Sequence, residues 1–122
     1  MCEKVCSWKE CLRKANVDVD GAIQRFSNKE ERYVKYLKLF KNNSNFHNLL
    51  MALENGNCNE AFECCHSLKG VVGNLGFNTM YPKIYDACET LRSGSMEGVS
   101  GLIDEITDNY NEIVRIIAEY LE

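Results

Sequence analysis

Apolar residues recur three and four positions apart along most of this chain, which is the period of an α-helix. Sustained alternation of apolar and polar residues, the pattern of a half-buried strand, is absent, so the sequence predicts an all-α fold. Capping residues, glycines and the single proline divide the pattern into seven helices. We expect these helices at about 3–15, 19–26, 28–41, 44–55, 57–75, 79–92 and 97–121.

The last four predicted helices are joined by connections of only a few residues. Connections this short make consecutive helices antiparallel neighbours. We therefore expect residues 43–122 to form an antiparallel up-and-down four-helix bundle, with additional N-terminal helices within residues 1–41 covering one end or side of it. A chain of 122 residues is expected to form a single domain with one modest core.

Composition and charge narrow the class of protein. Hydrophobic residues make up 45% of the chain and charged residues 26%, which is ordinary for a soluble globular domain. A formal net charge of −4 argues against a broad basic surface for nucleic acid. No apolar stretch has membrane-spanning length, and the first residues lack the apolar core of a signal peptide. We therefore expect a cytoplasmic protein that binds neither nucleic acid nor membrane.

Seven cysteines raise the question of disulfides or a metal site. An odd number cannot all pair within one chain, and a domain with a real core needs no disulfide staples. No C-x-x-C pair occurs, and Cys2, Cys6 and Cys11 are spaced like positions on a helix face. We interpret the cysteines as free thiols and expect no metal site.

His66 lies in the fifth predicted helix, within the segment AFECCHSLKGVVGNLGF at residues 61–77. Cys64 lies about 200° from His66 around the helix and Cys65 about 100°, so neither can share a metal ion with it or act as its paired nucleophile. The apolar stripe of this helix lies opposite His66, which predicts that the imidazole points away from the core. The residues on the His66 side are Asn59, Phe62, Glu63, Lys69, Gly70 and Gly73.

An outward imidazole beside a lysine and two glycines suits phosphoryl chemistry. A neutral imidazole nitrogen is a good nucleophile toward a phosphoryl group. Lys69, one turn on, can balance the charge of a phosphorylated ring. Gly70 and Gly73 each cost the helix about 1 kcal/mol relative to alanine. That cost favours a partner whose backbone approaches closely; the alternative is tight packing against a neighbouring helix of this chain.

Residues 66–70 (HSLKG), followed by 74–76 (NLG), resemble the H-x-L-K-G…N-L-G signature of histidine-containing phosphotransfer (HPt) domains. The resemblance runs from about Val17 to the C terminus, and the N-terminal segment is similar to that of short, free-standing bacterial members. It implies a helical bundle that acts as a phosphorelay intermediate in two-component signalling. In that role His66 accepts a phosphoryl group from a receiver-domain aspartate and passes it to another receiver.

The resemblance also implies partners and site residues. The partners are response-regulator receiver domains, with a hybrid histidine kinase as a further candidate, and the protein is expected to be a monomer. No nucleotide site is expected on this chain, which agrees with the lack of a P-loop or kinase signature in the sequence. No cofactor is expected either, because the metal ion for the chemistry is held by the receiver. Lys69 would support the phosphoryl group electrostatically and Gly70 would provide clearance. The expected docking surface consists of Phe62, Glu63, Gly70 and Gly73.

Some details stay open at this level. Val71 and Val72 stand where many family members have a small polar residue or alanine, and we expect both on the core side. Phe62 either contacts the partner or leans against an adjacent helix. Candidates on the sixth helix for orienting His66 are Tyr85, Cys88 and Arg92.

Three other classes of protein compete with the phosphotransfer interpretation. A non-catalytic adaptor that binds a receiver or a kinase would share the fold and the surface. A thiol or metal protein would use the cysteines, and a plain structural bundle would use neither feature. The combination of His66, Lys69 and Gly70 counts against the adaptor, and the absence of paired ligand spacing counts against the thiol or metal protein. The plain bundle gives no reason for glycines inside a helix beside an exposed histidine.

Overall fold

The computed structural model describes residues 7–122, and its regular secondary structure there is α-helical, apart from one isolated bridge between Val17 and Phe77. The all-α prediction is confirmed. A helix lies at each of the seven predicted positions with similar ends, except that the first begins at Trp8, after its Ser7 cap, rather than near residue 3. The start of the first predicted helix, with Cys2 and Cys6, lies outside the described residues. The helices are α1 (Trp8–Lys14), α2 (Val19–Arg25), α3 (Glu30–Lys41), α4 (Asn45–Glu54), α5 (Cys58–Leu75), α6 (Met80–Arg92) and α7 (Val99–Tyr120).

Consecutive helices pack side by side through the second half of the chain. α4 packs on α5, α5 on α6, and α6 on α7. The rings of Phe46 in α4 and Tyr110 in α7 stack with their centroids 4.3 Å apart. Of the N-terminal helices, α2 contacts α5, α1 contacts α7, and α3 contacts both α5 and α7. α5 therefore contacts both halves of the chain, through α2 and α3 on one hand and α4 and α6 on the other.

The stripe of apolar residues predicted for α5 forms its buried side. Cys65, which lies at the border of the stripe in sequence, is fully buried. Val72 is buried as expected, whereas Val71 is only half-buried, because it lies beside an open groove lined by Phe26 and Tyr36. The other buried residues of α5 are Ala61, Cys64, Leu68 and Leu75.

α7, with 22 residues, is the longest of the described helices and supplies an apolar stripe to the core. The stripe is interrupted by Asn109, whose amide oxygen is buried without a hydrogen-bond partner among residues 7–122. Its buried apolar members are Val99, Ile103, Ile106, Ile113, Ile116 and Ile117. Across the described helices, none combines the length and apolar character that a membrane span requires.

α5 begins with a side-chain cap at Asn57, the residue at which the sequence predicts this helix to start. The Asn57 side chain accepts a hydrogen bond of 3.1 Å from the backbone N–H of Glu60. The Glu60 carboxylate in turn accepts from the Asn57 side-chain amide at 3.1 Å. This pairing satisfies one of the free N–H groups that every helix start leaves exposed.

α5 ends in a Schellman motif at Gly76. The N–H of Phe77 donates to the carbonyl of Val72 at 3.0 Å, and the N–H of Gly76 donates to Gly73 at 3.3 Å. Gly76 has a φ of +83°, in the left-handed region that favours glycine. A Cβ atom at this position would lie 2.6 Å from the carbonyl oxygen of Asp18. Position 76 therefore favours glycine for two reasons, the left-handed backbone that ends α5 and the close approach of the Asp18 backbone.

The N-terminal segment satisfies the remaining backbone groups at this end of α5. The N–H of Asp18 donates to the carbonyl of Gly76 at 2.8 Å. The Arg25 guanidinium donates to the carbonyls of Gly73 and Asn74 at 3.0 and 3.3 Å. The buried Tyr33 hydroxyl donates to the carbonyl of Leu75 at 2.9 Å. Residues far away in sequence thus fix the end of the helix that carries His66.

Replacing Gly76 with alanine is expected to lower the free energy of unfolding by about 2–4 kcal/mol. About 1 kcal/mol comes from the left-handed backbone and the rest from the clash with Asp18. Gly56→Ala is the matched control, because Gly56 has a φ of +71° but no atom within 4 Å of an added Cβ. Urea denaturation measures both variants, and equal losses would contradict the packing role of Gly76.

Candidate functional site

His66 lies in the middle of α5 with its side chain exposed, as predicted. Its imidazole stacks on the ring of Phe62, one turn earlier, with centroids 5.7 Å apart and planes at 26°. Neither ring nitrogen takes part in a hydrogen bond or ion pair with residues 7–122. The nitrogen edge of the ring is therefore open to an incoming molecule.

Lys69 lies one turn after His66 and is half-buried. Its Nζ lies 5.2 Å from the centroid of the Tyr85 ring on α6, a cation–π contact. No carboxylate among the described residues pairs with this ammonium group. A positive charge that is not neutralised thus lies on the same side of α5 as the imidazole.

The two glycines of this surface have different surroundings. A Cβ at Gly70 would meet no atom within 4 Å, so this exposed position borders open space. A Cβ at Gly73 would lie 3.2 Å from the ring of Tyr81. Tight packing against a neighbouring helix therefore accounts for Gly73, whereas nothing in the described chain requires a glycine at Gly70.

Phe62 has contacts in two directions. It is half-buried and packs against the core. This packing agrees with the alternative in which Phe62 leans against the rest of this chain. Its ring also carries the His66 imidazole, and the Arg92 guanidinium lies over it at 6.0 Å from the centroid. Arg92 pairs with Glu89 at 2.9 Å. Glu63, the other predicted docking residue beside Phe62, is exposed.

α6 supplies the second side of the site, and the three candidates on it separate by burial. Cys88 is fully buried, so it does not reach this surface. Tyr85 is 44% exposed and contacts Lys69, whereas Arg92 contacts Phe62. Tyr81 escaped the sequence analysis, although it lies four residues before Tyr85 and is 38% exposed. The four-residue spacing of Tyr81 and Tyr85 can be read from the sequence. Aromatic residues at this spacing are as typical of a buried helix side as of an exposed one, so the spacing alone did not identify Tyr81.

The cysteines beside His66 belong to the interior. Cys65 is fully buried, and its thiol donates to the carbonyl of Ile84 at 3.6 Å. Burial raises the pKa of Cys65 to about 12, with smaller raising effects from Cys88 and Cys64 and a lowering effect from Lys69. Burial also raises the pKa of Cys64. Both groups are therefore neutral thiols at physiological pH, unsuited to nucleophilic attack.

The described residues contain no group of three or more His, Cys, Asp and Glu side chains arranged to hold a metal ion. The cysteines within residues 7–122 are free, namely Cys11, Cys58, Cys64, Cys65 and Cys88. His47, the second histidine, is exposed on α4, as its polar neighbour in sequence suggested. The chemistry available on the α5–α6 surface is therefore that of the His66 imidazole and the Lys69 ammonium.

Similarity to known proteins adds no assignment. No family model, curated protein or solved structure matches the chain significantly. The functional interpretation depends on the geometry of α5 and α6 and on the residues of the HSLKG and NLG segments.

The raised pKa of Cys65 predicts a loss of stability in alkaline solution. A thiol in the unfolded chain ionises near pH 8.5, whereas the folded thiol ionises near pH 12. The free energy of unfolding should therefore be insensitive to this group below about pH 8.5 and fall by up to about 1.4 kcal/mol per pH unit above it.

Urea denaturation between pH 7 and 11 measures this effect by comparing wild type with Cys65→Ala. The variant should be less stable at neutral pH but should lose stability less steeply above about pH 9. Identical slopes in the two proteins would contradict the burial of a neutral Cys65 thiol.

Proposed function

We propose that this chain is a phosphorelay intermediate of the HPt type. His66 accepts a phosphoryl group from the aspartyl phosphate of one receiver domain and passes it to the aspartate of another. The observation that carries this proposal is the exposed His66 imidazole, whose nitrogens have no partner within residues 7–122, beside the uncompensated charge of Lys69. The HSLKG and NLG segments support it.

In the proposed step, Nε2 of a neutral His66 attacks the phosphorus of the aspartyl phosphate. A P–N bond forms, the P–O bond breaks, and the aspartate leaves as a carboxylate, while Nδ1 keeps its proton. The reverse step on a second receiver restores the imidazole. The receiver's own acidic site carries the metal ion that phosphoryl transfer requires, so this chain contributes no metal ligand.

Lys69 supplies positive charge beside the phosphoryl group. The transferred group carries its negative charge on three oxygens, and a cation at this edge stabilises that charge during transfer. The Tyr85 ring holds the ammonium group by a contact that leaves it able to donate hydrogen bonds. A carboxylate partner would instead have cancelled the charge before the phosphoryl group arrived.

The receiver docks over the surface formed by Glu63, Gly70 and the exposed rings of α6, while the half-buried Phe62 stacks on the His66 ring beside this surface. Gly70 lets a partner backbone approach the helix beside His66, because no side chain of this protein fills the space above it. Gly73 contributes indirectly, since it seats Tyr81 against α5. The surface is thus flat next to the imidazole and aromatic along its α6 side.

The architecture that we propose for this function is an antiparallel four-helix bundle of α4 to α7. The side-by-side packing of consecutive helices and the Phe46–Tyr110 stack between α4 and α7 support it. The N-terminal helices cover the end of α5 at Gly76. We propose that this chain is a monomer, like most free-standing members of the family that it resembles, and that it acts in the cytoplasm.

Substitution of His66 is the direct test of the phosphoacceptor. Wild type incubated with aspartate-phosphorylated receiver domains should take up a phosphoryl group that is labile in acid and stable in base, and His66→Gln should take up none. His47→Gln is the matched control and should label like wild type, because His47 is exposed on α4 outside this site.

Two outcomes would contradict the proposal. Equal labelling of His66→Gln and wild type would place the phosphoryl group elsewhere. Tight binding of a phosphorylated receiver without any transfer to wild type would instead show a non-catalytic adaptor with the same surface.

Substitution of Gly70 tests the docking surface. Gly70→Gln should slow transfer from a receiver at least tenfold, because the new side chain occupies the open space beside His66, and it should stabilise the helix by a little under 1 kcal/mol. Gly101→Gln is the matched control, since Gly101 is also an exposed helical glycine without atoms within 4 Å of an added Cβ. Rapid-quench kinetics measure transfer, and equal rates in both variants would remove the docking role of Gly70.

A further inference from the structure

The His66 imidazole is restrained through its face rather than through a nitrogen. Histidines that work in catalysis are commonly oriented by a hydrogen bond to the second ring nitrogen. His66 has no such bond within residues 7–122, and its contact there is the Phe62 ring, 5.7 Å away centroid to centroid. The side chain that orients His66 must therefore be sought among its ring contacts.

A face contact suits a nucleophilic imidazole. The lone pair that attacks phosphorus lies in the plane of the ring, so a neighbour stacked on the face limits ring rotation without covering either nitrogen. A hydrogen bond would restrain the ring at the cost of occupying one nitrogen. The 26° angle between the Phe62 and His66 planes is close enough to parallel for this kind of restraint.

Phe62 is itself held from several sides. Its ring is half-buried against the core, and the Arg92 guanidinium of α6 lies over it at 6.0 Å. Arg92 is in turn paired with Glu89 at 2.9 Å. A fully exposed phenylalanine ring would be too mobile to restrain His66. The Phe62 ring is itself packed at the α5–α6 interface, so its contact with the imidazole can limit the motion of that ring.

We propose that Phe62 is the positioning residue of His66. Its ring holds the imidazole in the orientation that presents Nε2 to a docked phosphoryl group, and it makes no contact with that group. The proposal rests on the proposed phosphotransfer function and adds the side chain that sets the geometry of attack. An aromatic pair of this kind favours one orientation by a factor of about two to ten, which sets the size of the expected effect.

The experiment compares Phe62→Leu, which keeps an apolar side chain but removes the flat ring, with Phe62→Tyr, which keeps the ring. Transfer from an aspartate-phosphorylated receiver is measured over a range of receiver concentrations. Phe62→Leu should lower the saturating transfer rate about two- to tenfold while the half-saturating concentration changes less than twofold, and Phe62→Tyr should restore the rate. Phe26→Leu is the matched control, because it removes a distant ring stack with Tyr36 and should transfer like wild type.

Two further readouts separate positioning from structural and docking roles. NMR coupling constants across the His66 side chain should indicate one rotamer in wild type and Phe62→Tyr, and averaging in Phe62→Leu. Phosphoramidate, a small donor that needs no docking, should phosphorylate wild type and Phe62→Leu at similar rates, because a freely diffusing donor can meet the ring in any orientation.

The outcomes that overturn the proposal are distinct from those that overturn the function. A wild-type saturating rate in Phe62→Leu, or averaged His66 couplings in wild type, would remove the positioning role. A change confined to the half-saturating concentration would make Phe62 a docking contact instead. Absence of transfer from any receiver to wild type would overturn the proposed function. The His66 coupling constants would then still test whether Phe62 restrains the imidazole ring.

Discussion

The carboxyl end of α5 is the constraint on which the rest of the structure depends. Gly76 turns the chain through a left-handed conformation directly against the Asp18 backbone, at a distance that leaves no room for a side chain. Arg25 and Tyr33 donate to the last carbonyls of the helix. Because the buried Leu75 carbonyl would be costly to leave unpaired, its bond from Tyr33 holds α5 against the N-terminal segment, and the exposed Arg25 bonds add to this contact.

With α5 fixed in this position, one side of the helix carries unreactive buried groups and the other carries exposed groups that can react. The side that faces the core carries Cys65, whose thiol stays neutral because burial disfavours the thiolate. The exposed side carries His66 and Lys69, where the imidazole nitrogens are open and the ammonium group is not neutralised. Nearly adjacent residues thus differ in reactivity because helical geometry assigns them to different environments.

The features that follow from a single helix were predictable, and those that need a second helix were not. Helical periodicity placed His66 outside, and capping residues and glycines predicted a fifth helix at about 57–75, which agrees with the observed caps at Asn57 and Gly76. Periodicity gives angles around one helix axis but not the position of its neighbours. It therefore missed Tyr81 over Gly73, and it left Phe62 open between packing and docking, since the Arg92 contact depends on how α5 and α6 meet. The donors at the end of α5 come from residues more than 40 positions away, beyond the reach of any local pattern.

The central claim is that a phosphoryl group becomes bonded to the His66 imidazole in the folded protein. A two-dimensional ¹H–³¹P correlation spectrum, recorded after incubation with an aspartate-phosphorylated receiver, tests it most directly. Phosphorus on Nε2 should couple to both carbon-bound ring protons of His66 and to none of His47. A spectrum that correlates the phosphorus with His47, or with no imidazole proton, would contradict the account.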